Sequence, residues 1–169
     1  MNHDDMVEYL RRCYELASKS PDPSNQNGAI ITNCVGSYGK MDGVQGLNRF
    51  RESLVYDPKQ LLDRDWKIRN IVHAEEYAVF EAARIGLKCE GATMVCPWAP
   101  CTQCGKAIIM SGIKELVVHK SRMEQTPPRW YTDVQMALND LKEHKVHITW
   151  VDQVLDATPV LVNGVIWRP

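Results

Sequence analysis

The sequence predicts an α/β layer fold with a mixed or mostly parallel sheet. Three observations predict it. Helical and strand periodicities alternate along the chain. The chain has 169 residues, 44% hydrophobic and 24% charged, which suits one core-forming domain. No internal repeat, low-complexity tract or membrane-length apolar run interrupts the pattern. The whole chain, 1–169, therefore reads as a single domain.

Each element has its own signal. Met6, Val7, Leu10, Cys13, Tyr14 and Ala17 keep helical spacing, so residues 4–18 form an amphipathic helix. Ser20-Pro21-Asp22-Pro23-Ser24 is a stop and turn. Gly28 to Thr32 is a short apolar strand. Residues 35–70 carry glycine, charge and scattered apolar residues without a clear period. The Ala/Glu-rich run from His73 to Ile85 favours helix, with Gly86 as its C-terminal cap. Gly91 to Cys96 reads as a buried strand, Thr102 to Met110 as a helix, and Glu115 to His119 as another strand. Thr126-Pro127-Pro128 marks a loop. Val134, Ala137, Leu138 and Leu141 give residues 130–144 an amphipathic helical face. Val146 to Val151 alternates as a half-buried strand, and Val160 to Trp167 suggests a further edge strand.

Charge and cysteine usage bound the function. Twenty basic against 21 acidic residues leave a net charge of −1. That balance disfavours nucleic acid as a partner, since a polymer binder needs a positive field. The acidic, amphipathic start lacks the basic and apolar regions of a secretion signal, and no run is long enough to span a membrane. The chain is thus expected to be cytoplasmic, where thiols stay reduced. The six cysteines are then read as metal ligands or buried packing groups rather than disulfides.

Two of them sit in a metal-binding pattern. His73-Ala74-Glu75 precedes Pro100-Cys101-Thr102-Gln103-Cys104 by about a helix and a strand. Cys101 and Cys104, three apart, present two thiolates to one side of a helix's first turn, where the helix dipole stabilises them. Pro100 loses no hydrogen bond at a helix start. One imidazole and two thiolates make three ligands, which leaves tetrahedral zinc a fourth position for water. Positions i and i+2 diverge on a regular helix. His73 and Glu75 can therefore serve one site only if His73 lies at the very start of its helix. Glu75 is then a proton carrier beside the metal rather than a ligand. Cys13, Cys34, Cys89 and Cys96 are assigned to packing.

The H-x-E…P-C-x-x-C pattern is the known signature of zinc deaminases, and the chain resembles the deoxycytidylate deaminases of the zinc-dependent cytidine deaminase superfamily. The resemblance runs over roughly residues 5–151. It includes Ser20 to Ser24 followed by Gly28-Ala29-Ile30-Ile31, Gly46-Leu47-Asn48-Arg49-Phe50, Arg64-Asp65-Trp66-Lys67 leading into the histidine, and Ser111-Gly112-Ile113-Lys114. It implies a three-layer α/β/α sandwich around a five-stranded mixed sheet, and a catalytic zinc on His73, Cys101 and Cys104. The implied reaction is attack of a zinc-activated water on C4 of cytosine, with Glu75 moving protons and ammonia leaving.

By position, Asn48 and the backbone of Ala74 would hold the nucleoside, and Trp98 and Ala99 would line the pocket. Ser24 is a candidate phosphate donor, and Tyr131 or Trp130 a stacking ring. Asn48 also suits a turn, and the aromatic residues also suit a core. The sequence departs from the family at Arg49 and Arg51, which replace the family's Gly-Pro pair around Asn48, and at Cys96-Pro97-Trp98. Further phosphate candidates are Lys19, Ser20, Arg49, Arg51, Lys67, Arg69 and Arg129. The resemblance also implies dCTP and dTTP as effectors accompanied by Mg2+, and a homo-oligomer, with a hexamer favoured. The expected substrate is dCMP, giving dUMP for thymidylate synthesis. The rival readings are dCTP, a base in RNA or single-stranded DNA, and a non-catalytic zinc module.

Overall fold

The computed structural model describes residues 1–169 except Tyr38 and Asp42. Its main sheet has five strands: β1 (Gly28–Thr32), β4 (Val44–Leu47), β7 (Thr93–Val95), β8 (Glu115–His119) and β9 (His147–Val151). They are ordered β4-β1-β7-β8-β9. β1 runs antiparallel to both β4 and β7, whereas β7, β8 and β9 are parallel. The sheet is therefore mixed, as the resemblance implies.

The period of two along these strands sorts side chains into two cores. Ala29, Ile31, Met94, Leu116 and Val118 face one layer, with α3 (Ala74–Arg84), α4 (Thr102–Met110) and α6 (Pro128–Glu143). The intervening Ile30, Val95 and Val117 face the other layer, with α1 (His3–Ala17). The result is the three-layer α/β/α arrangement. Cys13, Cys34, Cys89 and Cys96 are buried, as packing requires.

Several boundaries moved. The tail does not extend the sheet. Val160–Val162 (β10) and Val165–Trp167 (β11) pair only with each other, and their hairpin packs beside α1. The irregular stretch holds more structure than its composition suggests. It contains the hairpin β2 (Cys34–Gly36) and β3 (Gly39–Met41), the sheet strand β4, and the short pair β5 (Arg49–Phe50) and β6 (Ile71–Val72). It also contains a 3-10 turn over Pro58–Leu62 and α2 (Arg64–Asn70). Phe50, Tyr56 and Trp66 pack their rings together to anchor it. A further short helix, α5 (Lys120–Glu124), follows β8. No helix among the described residues is long and apolar enough to cross a membrane.

One glycine sets the position of α3. A Cβ at Gly46 would lie 2.0 Å from the Ala74 carbonyl oxygen and 2.7 Å from the Ala78 nitrogen. Backbone meets backbone there, so the first turn of α3 rests directly on β4.

Candidate active site

Two helix starts, those of α3 and α4, meet at one place, with α3 lying over β4 and β1. His73 precedes α3 in an extended conformation, φ −73° and ψ 155°, and Ala74 is the first helical residue. This resolves the spacing problem, because His73 and Glu75 are not two positions on a regular helix. Cys101 occupies the same place before α4. Neither residue spends its side chain on capping its own helix.

The His73 Nδ1 lies 3.5 Å from the Cys101 Sγ and 3.6 Å from the Cys104 Sγ. Donor atoms of all three residues lie within 4.8 Å of one another. One imidazole nitrogen and two thiol sulfurs, converging at partly buried positions, fit a tetrahedral N/S metal such as zinc.

The elements holding these donors are tied together. Asp133 of α6 accepts from the Thr102 backbone N–H at 3.0 Å and from its hydroxyl at 2.8 Å, which pins the start of α4. Gln103 donates to Glu76 at 3.0 Å, joining α4 to α3. Asn48 is buried, accepts from the Ala74 N–H at 2.9 Å and donates to the Asn25 carbonyl at 2.8 Å.

The electrostatics follow from burial and proximity. Burial lifts the Glu75 carboxyl to about 7, against the lowering pull of His73. Burial alone would lower the His73 imidazole, but its hydrogen bond to Cys101 and the nearby acidic groups outweigh it and hold it at about 9. Cys101 is drawn down to about 4 by the hydrogen bond from Cys104, helped by His73. Cys104 is pushed up by its bond to Cys101 and by burial. One wall thus concentrates a low thiolate, a buried carboxyl and an imidazole.

A cavity of about 480 Å3 opens over this wall, within the roughly 300–1,000 Å3 usual for small-molecule sites. His73, Glu75 and Cys101 line its base. Trp98 and Ala99 line it as expected, and Trp130 joins them. The two indole rings stand 6.5 Å apart and nearly perpendicular, at 87°. The buried Arg122 guanidinium lies 4.3 Å from the Trp98 ring centroid and 3.5 Å from the Asn25 side-chain oxygen, bracing that wall from behind.

The remaining sequence candidates separate. Asn48 and Ser24 line the cavity. Ala74 does not: it is wholly buried and its N–H is taken by Asn48. Tyr131 does not either, being 60% exposed, because on α6 it is the preceding Trp130 that turns inward. Lys67 is buried against Asp22 at 2.7 Å and also bonds the Ser24 hydroxyl. Arg49 is held by Tyr77 at 3.1 Å and Glu52 at 3.1 Å, and neither it nor Arg51, Arg69 or Lys19 lines the cavity. Ser20 donates to the Asn48 carbonyl. Arg129 does line it, together with Arg64.

Sequence reasoning missed Arg64, Asn25, Asn27 and the Asp22–Lys67 pair, which reach the cavity only through folding. It also missed Cys96, whose thiol accepts from Asn27 at 3.1 Å and donates to the Trp98 carbonyl at 3.1 Å, behind the cavity wall.

The family model described as the cytidine and deoxycytidylate deaminase zinc-binding region matches residues 3–120. The chain belongs to this family. A deoxycytidylate deaminase of Enterobacteria phage T2 is 44% identical over 66 residues, covering 39% of this chain and 35% of that protein. The chain thus matches about a third of the length of that phage relative. The human deoxycytidylate deaminase is 30% identical over 122 residues, covering 68% of this chain and 66% of the relative. The cyanophage S-TIM5 dCMP deaminase, solved with dCMP and dUMP, shares the fold with a TM-score of 0.64. It is 16% identical, over 89% of this chain and 99% of that one.

Proposed function

We propose that the protein is a zinc-dependent hydrolytic deaminase that converts dCMP to dUMP and ammonia. The observation that carries the reading is the buried Glu75 carboxyl at the base of a cavity, beside the converging His73, Cys101 and Cys104 donors. The relatives named deoxycytidylate deaminase, and the cyanophage structure with dCMP and dUMP, support the choice of substrate.

Zinc held by these three side chains would supply a Lewis acid that acidifies a water molecule. The chain's own residues do the rest. Glu75 takes a proton from the attacking water and delivers it to N3 of the cytosine, then takes the proton of the new C4 hydroxyl and passes it to the departing amine as the C4 carbonyl forms and the C–N bond breaks. Its burial lets a carboxyl hold a proton near neutrality. Trp98 and Trp130 frame the flat base and shut water out beside it. Asn48, anchored on Asn25 and Ala74, keeps the cavity floor in register with the start of α3.

Arg64 and Arg129 meet the phosphate at the open end, where guanidinium groups can grip it in bidentate fashion. Lys67 is already committed to Asp22 and orders the Ser24 hydroxyl instead. The product dUMP would serve thymidylate synthesis. Control by dCTP and dTTP with Mg2+, and assembly as a hexamer, rest on the family resemblance. They are tested by adding each triphosphate and measuring rate and mass in solution.

The deciding experiment offers zinc-loaded protein dCMP, dCTP, deoxycytidine, cytosine and a single-stranded oligonucleotide. Turnover of dCMP well above deoxycytidine is expected. Turnover of none with zinc bound, or of the oligonucleotide alone, overturns the assignment.

A further inference from the structure

The active site uses two of the six cysteines, and a second pair lies apart from it. Val35 on β2 and Lys88, in the segment after α3, exchange both backbone hydrogen bonds, at 2.9 and 2.8 Å, in an antiparallel bridge. That register places Cys34 directly opposite Cys89. Because the neighbouring pair is the hydrogen-bonded one, Cys34 and Cys89 occupy a non-hydrogen-bonded position. Cα atoms there approach to about 4.5 Å, inside the roughly 4.4–6.8 Å a disulfide spans. The two sulfurs are 3.8 Å apart.

We propose that Cys34 and Cys89 form a reversible dithiol–disulfide pair, a second modification site separate from the metal centre. Peroxide is the oxidant class that suits it. Cys89 is 6% exposed and lines a groove with Val79, Phe80, Ala83 and Leu87, whereas Cys34 is fully buried, so a small neutral oxidant meets Cys89 first. The hydrogen bond from Cys34 also draws the Cys89 thiol below its ordinary range, whereas burial pushes Cys13 and Cys96 up.

The Cys89 thiolate attacks a peroxide oxygen, breaking the O–O bond and giving a sulfenic acid and water. Cys34 then displaces the sulfenic oxygen as a second water, closing the S–S bond. Two thiols and one hydrogen peroxide thus become one disulfide and two waters, with sulfur oxidised and oxygen reduced. The bond closes the loop from residue 34 to 89, which carries Asn48, His73 and Glu75. Crosslinking a loop of this length acts chiefly by restricting the unfolded chain.

Zinc-loaded protein treated with one equivalent of hydrogen peroxide tests this. Peptide mapping should find one intramolecular bond, between Cys34 and Cys89. Tm should rise by about 5–10 °C and return on adding a thiol reductant. Cys34→Ser and Cys89→Ser should each abolish the mapped bond and the shift, measured against each variant's own reduced Tm. A bond mapped to Cys101 and Cys104, no bond at all, or a crosslink that leaves Tm unchanged overturns the proposal.

Discussion

The cavity has two unlike walls. The inner wall is the junction of α3 and α4, where His73, Glu75, Cys101 and Cys104 lie within two short stretches of chain. It rests on β4 and β1 and is pinned by Asp133, Gln103 and Gly46. The outer wall is gathered from the turn after α1, from α2 and from the start of α6. Its cations are exposed or already paired. Bond-making chemistry needs fixed atoms, and two helix starts on a sheet supply them. Recognition of a substrate's far end needs only a few charges at the mouth, and those can sit on less regular chain.

Changes at the inner wall should break turnover. Glu75→Gln should lower kcat on dCMP by about 100- to 10,000-fold while zinc content, measured by atomic absorption, stays near one per chain. If the variant keeps its rate, the proton carrier lies elsewhere. Chelation should abolish activity, and added zinc should restore it. A chelated protein that still turns over would separate the metal from the chemistry. Gly46→Ala is expected to cost about 2–3 kcal/mol, because the new methyl meets backbone that cannot move aside. Thermal unfolding would read this as a Tm lower by roughly 5–10 °C.

Changes at the outer wall should act on binding instead. Arg64→Ala and Arg129→Ala should each raise KM for dCMP by about ten- to a hundredfold, the worth of a charge-assisted hydrogen bond. kcat and the slower reaction on deoxycytidine should hardly change. An equal loss with both substrates would move these residues from phosphate recognition to structure. Tyr131→Ala, on the solvent side of α6, should leave both parameters within about twofold.

The same division explains what could be read before folding. His73, Glu75, Cys101 and Cys104 announce themselves because their spacing is local and their chemistry is distinctive. α1, α3, α4 and α6 show in the hydrophobic period, since each buries one face. The strand β4 was hidden because Gln45 and Gly46 dilute its apolar pattern, and Gly46 is needed for contact with α3 rather than for strand formation. Arg64 was indistinguishable from any surface charge, and Lys67 looked available although it is buried against Asp22 from 45 positions away. The choice between Trp130 and Tyr131 turned on the phase of α6, which neighbouring aromatic residues do not reveal.

The β10–β11 hairpin has a kinetic consequence. Its Leu161 and Asn163 amides donate to the side chains of Gln26 and Asn25 from 135 and 138 positions away, its Gly164 amide donates to the Ser24 carbonyl, and the Gln26 amide returns a bond to the Leu161 carbonyl. Contacts of such separation form after local ones during folding. The mouth of the cavity is therefore completed only after two segments from opposite ends of the chain have met.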